Sequence, residues 1–217
     1  MYKSDAQLQL DVLEELKWEP SVDAEQIGVA AKDGVVTLSG IVGSYSEKLL
    51  AEKTARRVDG VRAIAEELAV RYASDPKTSD SEIARRVADI MEWDALMPNQ
   101  KIDVTVDDGV VSLKGEVDWG YQKNLAFKDA SKISGVKRVD NWIVVKPAVG
   151  VGDLKERIEQ AFERQADFEA NKIRVTTQGH KVILDGRVAS WDKRSIAERA
   201  AWAAPGVSQV VDNLIVG

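Results

Sequence analysis

Apolar residues recur every four positions near the start of the chain and again at two later places. The three sets are Leu8, Val12 and Leu16; Ile83, Val87 and Met91; and Leu154, Ile158 and Phe162. Many of the positions between them hold Glu, Lys or Arg. This spacing puts the apolar side chains on one stripe of an amphipathic helix. The pattern therefore predicts three helices that each bury one face.

Each predicted helix is followed by a stretch in which apolar and polar residues alternate. The inward positions are Ile27, Val29 and Ala31; Ile102, Val104 and Val106; and Ile173, Val175 and Thr177. A period of two predicts a half-buried strand. Asp33-Gly34 and Asp108-Gly109 come next and are typical of tight hairpins, because both central residues of a type I′ turn have positive φ. The third stretch ends in Gly179-His180, which suits this turn less well.

The second strand of each hairpin leads into another helix and a last strand. A glycine interrupts each second strand, at Gly40, Gly115 and Gly186. Such a glycine indicates a bulge or a close approach of another backbone segment. The following helix carries alanines on its apolar face, and a glycine ends it, at Gly60, Gly135 and Gly206.

These elements recur with constant spacing, so the chain contains an internal repeat. A Gly-Val pair follows each second-strand glycine after twenty residues in all three copies. The prediction is an α+β fold made of three tandem α-β-β-α-β repeats. Each repeat has a three-stranded sheet with two helices on one face. We expect the repeats to span residues 1–73, 80–146 and 152–217.

The amino-acid composition excludes several classes of function. The chain has 217 residues with 30 basic and 36 acidic side chains, and a general nucleic-acid binder would normally be basic. It has no cysteine and one histidine, His180, which excludes disulfides, thiol catalysis and cysteine zinc sites. Neither a phosphate-binding loop nor a nucleophile elbow is present. We therefore expect a protein that is not an enzyme, needs no cofactor and binds no nucleic acid.

The repeat carries recognisable motifs. DGVVTLSG stands at 33–40 and DGVVSLKG at 108–115, each followed by an alanine-rich helix and a closing motif of the form GVxxVxNxLxV. The polar position of that motif is Glu66, Asn141 and Asp212 in the three copies. The pattern resembles the BON (bacterial OsmY and nodulation) domain over almost the whole chain. The resemblance implies binding to phospholipid surfaces, a part in envelope stress responses, or binding of small ligands or ions.

Aromatic residues mark the loop that enters the second helix of each repeat. Trp119 and Tyr121 lie there in the second copy and Trp191 in the third, close to Lys193 and Arg194. Aromatic rings at a loop tip suit the headgroup level of a membrane, and nearby basic residues suit anionic lipid. These five residues are the candidate membrane or partner contacts. The alternative is that the rings pack between repeats.

The last strands carry a second candidate surface. Trp142, Val144 and Ile215 fall on the parity opposite to the core residues of those strands. Apolar residues on both faces of a strand favour burial between repeats or between subunits, and in the second case the protein is a homo-oligomer. The sequence does not decide whether a metal ion binds. Oxygen ligands are supplied by Glu14-Glu15, Glu66-Glu67 and Asp107-Asp108, but these pairs match no dedicated metal loop.

The first residues show no basic start followed by an apolar run, as a secretory signal would. The sequence also has no stretch of about eighteen apolar residues. As it stands the chain is expected to be cytoplasmic, and periplasmic if it is a processed form.

Three hypotheses follow for the function. The leading one is stress-linked association with a phospholipid membrane surface or another envelope component. The second is a small-ligand or metal-ion binding module whose ligand changes its assembly. The third is a structural protein that assembles with itself through the apolar strand face.

Overall fold

A computed structural model describes residues 3–72, 78–97, 102–146, 154–164 and 172–216. The first repeat contains α1 (Asp5–Trp18), a short 3₁₀ turn (Ala24–Gln26), β1 (Ile27–Lys32), β2 (Val35–Val42), α2 (Tyr45–Arg56) and β3 (Ala63–Val70). The second contains α3 (Asp80–Trp93), β4 (Ile102–Asp107), β5 (Val110–Val117), α4 (Gly120–Ser131), β6 (Arg138–Asn141) and β7 (Val144–Val145). The third contains α5 (Leu154–Glu163), β8 (Ile173–Gln178), β9 (Lys181–Val188), α6 (Trp191–Ala203) and β10 (Gln209–Val216).

The predicted α+β order is confirmed in every repeat, with one difference. The last strand of the second repeat is broken between β6 and β7. At the break, the backbone amide of Ile143 donates to the side-chain oxygen of Asn141 at 3.1 Å. The amide of Trp142 still donates to the carbonyl oxygen of Leu113, so the chain stays in place beside β5.

Each sheet has the same strand arrangement. The middle strand pairs antiparallel with the first strand and parallel with the last, as the pairings of β2 and β9 show. Parallel neighbours need a crossover connection, and α2 and α6 supply it. In the second repeat β4, β5 and β6 form the same order, with β7 also on β5. The second helix of a repeat therefore lies against the last two strands.

The predicted apolar stripes form the cores. The residues of the first helices that were predicted to be inward are all buried, at Leu8, Val12, Leu16, Ile83, Val87, Met91, Leu154, Ile158 and Phe162. They meet the alternate, inward positions of the strands, such as Val36 and Leu38. Ala51 and Ala55 of α2 are fully buried, because a methyl group leaves room for a helix close to the sheet. Both helices of the repeat thus cover one face.

The two Asp-Gly hairpins adopt the expected conformation. Asp33 and Gly34 have φ values of 51° and 78°, and Asp108 and Gly109 have 44° and 74°. In the third hairpin only Gly179, with φ of 59°, is left-handed, and His180 is not. The poorer fit of Gly179-His180 to a type I′ turn is thereby confirmed.

The second-strand glycines mark a close backbone approach. A Cβ added to Gly40 would lie 2.1 Å from the carbonyl oxygen of Gln26, and one added to Gly186 would lie 2.2 Å from that of Lys172. Both glycines have positive φ, 124° and 138° respectively. The first strand of the repeat starts at this crossing, so no side chain fits there.

The chain divides into two compact units, and the division runs through the second repeat. The first comprises residues 1–83, 106–110 and 131–138, and the second comprises 84–105, 111–130 and 139–217. Within the first unit, Ser46 Oγ donates to the carbonyl oxygen of Ser131 at 2.8 Å. Within the second, the ring of Trp202 covers Gly120. Neighbouring repeats are therefore in direct contact.

Candidate functional site

Trp119 and Tyr121 flank the first residue of α4 and expose their rings. Their exposed fractions are 41% and 49%. Ser44 and Ser190 cap the corresponding helices through their hydroxyl oxygens, but Trp119 occupies this position in the second repeat. There, the buried side-chain oxygen of Gln122 accepts from the amides of Asp118 and Trp119, at 3.1 and 3.0 Å. Gln122 thus holds the backbone while both aromatic rings face solvent.

The corresponding residues of the third repeat are held against the protein. Trp191 is half-buried, and the guanidinium group of Arg194 lies 5.2 Å from the centre of its ring. Arg194 Nε also donates to Asp212 Oδ2 at 2.7 Å. The structure therefore brings Trp191 and Arg194 together but gives the arginine an internal counter-ion. Lys193 is half-buried, and its amide is capped by Ser190.

The residues of the candidate assembly surface are exposed. Trp142 is 64% exposed, and Val144 and Ile215 are also exposed. Their neighbours Ile143, Val145 and Leu214 point inward and are buried. The three side chains thus lie on the side of their sheets that faces away from the helices.

Comparing the repeats reveals a position that the motifs did not single out. A basic residue on the second helix lies beside a polar residue on the last strand, as the pairs Lys48 with Glu66, Lys123 with Asn141, and Arg194 with Asp212. Lys48 Nζ lies 2.9 Å from Glu66 Oε2, and Arg194 is bound to Asp212 as described above. Aligning the three copies residue by residue is the signal that would have found these pairs.

The middle pair lacks a negative charge. The Asn141 amide nitrogen donates to the backbone carbonyl oxygen of Lys123 at 2.8 Å, and its side-chain oxygen accepts from the amide of Ile143 rather than from the ammonium group. Burial lowers the pKa of the Lys123 ammonium. No carboxylate of the described residues lies within ion-pair distance of it. The second repeat thus has a half-buried cation where the other repeats have ion pairs.

The most exposed tryptophans are two that sequence reasoning did not select. Trp18 at the end of α1 is 83% exposed, and Trp93 at the end of α3 is 87% exposed. Glu14 and Glu15 line the same shallow pocket as Trp18. Lys3 and Arg57 line this pocket as well, so it carries charges of both signs. In the sequence, both tryptophans directly follow the apolar stripe of a predicted helix, and this position could have identified them as exposed.

One member of each acidic pair considered as an ion ligand is engaged by a basic side chain. Glu15 pairs with Arg57 at 3.1 Å, Asp108 with Lys137 at 2.7 Å, and Glu66 with Lys48. Among the described residues, no three potential ligands of His, Asp or Glu type cluster together. His180 lies with Nδ1 2.9 Å from the carbonyl oxygen of Gly206.

None of the helices in the described ranges combines the length and apolar character that crossing a membrane requires.

The sequence was compared with known families. The model of the BON domain matches residues 4–72, 79–147 and 151–217. The chain belongs to the BON domain family. This result confirms the family that the motifs indicated, with one BON domain in each of the three repeats.

Individual relatives of this BON-domain protein were also found. It is 33% identical over 135 residues to the osmotically-inducible protein Y of Escherichia coli strain K12. That alignment covers 58% of this chain and 65% of the relative, so less than two thirds of the relative is spanned.

Solved structures offer only remote matches. Two are of CdsD, a structural protein of the type III secretion system of Chlamydia trachomatis, one of them its C-terminal domain. Both are 13% identical with a TM-score of 0.26. They cover 97% and 99% of this chain, and 92% and 100% of the matched chains. This score is too low to support an argument about fold or function.

Proposed function

We propose that this chain is a non-enzymatic binding protein that associates with a phospholipid membrane surface, as part of a response to osmotic stress. The exposed aromatic pair Trp119 and Tyr121 at the start of α4 is the observation that carries the proposal. The link to osmotic stress rests on the likeness to the osmotically-inducible relative. The same surface could meet another envelope component with a comparable interface.

The aromatic pair has suitable chemistry and support. Trp and Tyr rings favour the boundary between headgroups and acyl chains, because one end of each ring is apolar and the other is polar. Gln122 already fixes the backbone beneath them, so little ordering is needed on binding. The pair is small, which makes the expected association reversible.

Electrostatics make the proposed binding dependent on salt. The chain carries a net charge of −6, which opposes an anionic surface over long distances. In the third repeat, Trp191 and Lys193 are proposed as auxiliary contacts. Arg194 contributes less there, because Asp212 neutralises it.

Co-sedimentation with vesicles tests the proposal. Vesicles of phosphatidylglycerol and phosphatidylcholine should bind the protein at physiological salt, where the repulsion from its net charge is screened. The double variant Trp119→Ala, Tyr121→Ala should bind at least fivefold less, because it removes both interfacial rings. Trp93→Ala is the matched control, since Trp93 is more exposed but lies elsewhere on the chain. No binding of the unaltered protein, or an equal loss with Trp93→Ala, would refute the proposal.

A second function is supported by a separate observation. Trp142 and Val144 of the second repeat and Ile215 of the third are exposed on the sides of their sheets opposite the helices. Large exposed apolar side chains on a sheet favour contact with another protein surface, and a second copy of this chain is the proposed occupant.

The mass in solution tests this self-association. We expect an oligomer whose mass falls to that of one chain in Trp142→Asp, because a buried, unpaired carboxylate is costly at an interface. Light scattering after size-exclusion chromatography measures this directly. Tyr121→Ala serves as the control and should leave the mass unchanged. A single-chain mass for the unaltered protein would rule out self-association.

A further inference from the structure

We propose that the second repeat contains a binding site for a phosphate group, centred on the ammonium group of Lys123. The proposal concerns one oxyanion, which could belong to a lipid headgroup or to a soluble phosphate. It does not depend on the proposed membrane function.

The internal repeat supplies the main argument. Lys48, Lys123 and Arg194 occupy the same position, five residues into the segment that begins at the helix cap. In the first and third repeats, an acidic residue of the last strand neutralises the cation at 2.9 and 2.7 Å. The fold thus places a negative group beside this cation twice in three copies. In the second copy the strand offers Asn141, which has no charge.

Asn141 is committed elsewhere and cannot replace the missing carboxylate. Its side-chain nitrogen donates to the backbone carbonyl oxygen of Lys123, and its side-chain oxygen accepts from the amide of Ile143. The corresponding oxygens of Glu66 and Asp212 accept from Leu68 and Leu214, but each carboxylate has a second oxygen for the cation. In the second repeat, the Asn141 side chain still accepts from the strand amide, but it offers no negatively charged oxygen to the lysine ammonium.

The Lys123 ammonium therefore lies in a half-buried place without a counter-ion from the described residues. Burial disfavours its charged form, as the lowered pKa shows. An external anion at the position of the missing carboxylate would compensate for this cost. Glu116 and Asp118, which precede α4 in the chain, are within 4 Å of Lys146, which partly neutralises them.

Phosphate is the anion class that best suits the surroundings. A lysine ammonium binds phosphate as a compact point charge, without the planar fork that selects carboxylates. Trp119 is the residue before α4 and precedes Lys123 by four residues. Its exposed ring, at the same end of α4 as Lys123, suits a phosphate that carries an organic group.

Titration with inorganic phosphate at low ionic strength tests the site. Amide chemical shifts of α4 report binding in the full chain, and we expect one set of residues around Lys123 to respond. Lys123→Gln should weaken binding at least fivefold, because it removes the charge. Asn141→Asp should weaken it equally, because it installs the internal counter-ion found in the third repeat. Lys128→Gln, an exposed lysine of the same helix, should change the affinity less than twofold.

A gain-of-function variant in the third repeat complements these losses of binding. Asp212→Asn should free Arg194 and create a second responding region at the start of α6. Phosphate binding that Lys123→Gln and Asn141→Asp leave unchanged would overturn the proposal, as would no binding at all. If Lys123→Gln lowers the unfolding temperature, Asn141→Asp decides the question, since it keeps the lysine.

Vesicles separate the two sources of phosphate. Binding to phosphatidylglycerol vesicles that falls with Lys123→Gln, and is absent with phosphatidylcholine alone, identifies an anionic lipid headgroup. Lys123-dependent binding of inorganic phosphate without vesicle binding identifies a soluble phosphate. The second result would uphold the anion site while refuting the membrane function.

Discussion

Replacing Gly186 with alanine is expected to destabilise the third repeat strongly. The new Cβ would lie 2.2 Å from the carbonyl oxygen of Lys172 and 3.2 Å from the Cα of Ile173. Both neighbours are backbone atoms at the start of β8, so neither can rotate away. The left-handed φ of 138° adds strain for any residue with a side chain. Together these costs should lower the free energy of unfolding by about 3 kcal/mol or more.

Gly179→Ala is the matched control for this prediction. Gly179 also has positive φ, 59°, but nothing lies within 4 Å of its added Cβ. It should cost only about 1 to 2 kcal/mol, the conformational penalty alone. Urea unfolding followed by circular dichroism measures both variants. Equal losses in the two would show that the close approach of Lys172 is not what requires Gly186.

Much of the fold could be predicted because local periodicity and tertiary burial agree. Leu8, Val12 and Leu16 recur with the helical period, and all three are buried. Asp33-Gly34 is read correctly because left-handed conformation is a property of the residues themselves. Gly40 and Gly186 were expected to allow either a bulge or a close approach, and only the structure identifies the partner backbone atoms.

The start of α4 has a cap that residue spacing alone does not predict. Serines cap α2 and α6, but at α4 the side chain of Gln122 reaches back to the amides of Asp118 and Trp119. This reach depends on a rotamer within the folded loop, which no spacing rule specifies. The break between β6 and β7 was likewise not foreseen, and the bond from the Ile143 amide to Asn141 does not explain it, because Glu66 and Asp212 make the same bond in unbroken strands.

The candidate site could be predicted from the sequence only in part, for a related reason. The sequence placed Trp119 and Trp191 in corresponding loops, yet one ring is exposed and the other is covered by Arg194. Exposure depends on what packs against a side chain, and that differs between repeats with the same backbone. The missing charge beside Lys123 was visible in the sequence, but only the Lys48 and Arg194 ion pairs give it meaning.

Replacing Trp202 with alanine should both weaken the third repeat and loosen its contact with the second. Trp202 lies on α6 and packs against the core of the third repeat. A Cβ added to Gly120, the first residue of α4, would lie only 2.5 Å from Trp202 Cε3. The indole ring thus contributes to two repeats at once. Since it is half-buried, its removal should cost about 2 to 4 kcal/mol, somewhat less than a fully buried tryptophan.

Coupling between the repeats gives this prediction a second readout. With the ring removed, calorimetry should show a broader transition or two transitions in place of one, because the repeats would unfold more independently. Gly120→Ala should disturb the same contact by overpacking it, and it should broaden the transition in the same way. Trp93→Ala removes a tryptophan that is 87% exposed and should change the free energy of unfolding by no more than about 0.5 kcal/mol. If Trp202→Ala proved as mild as this control, the ring could not be holding the two repeats together.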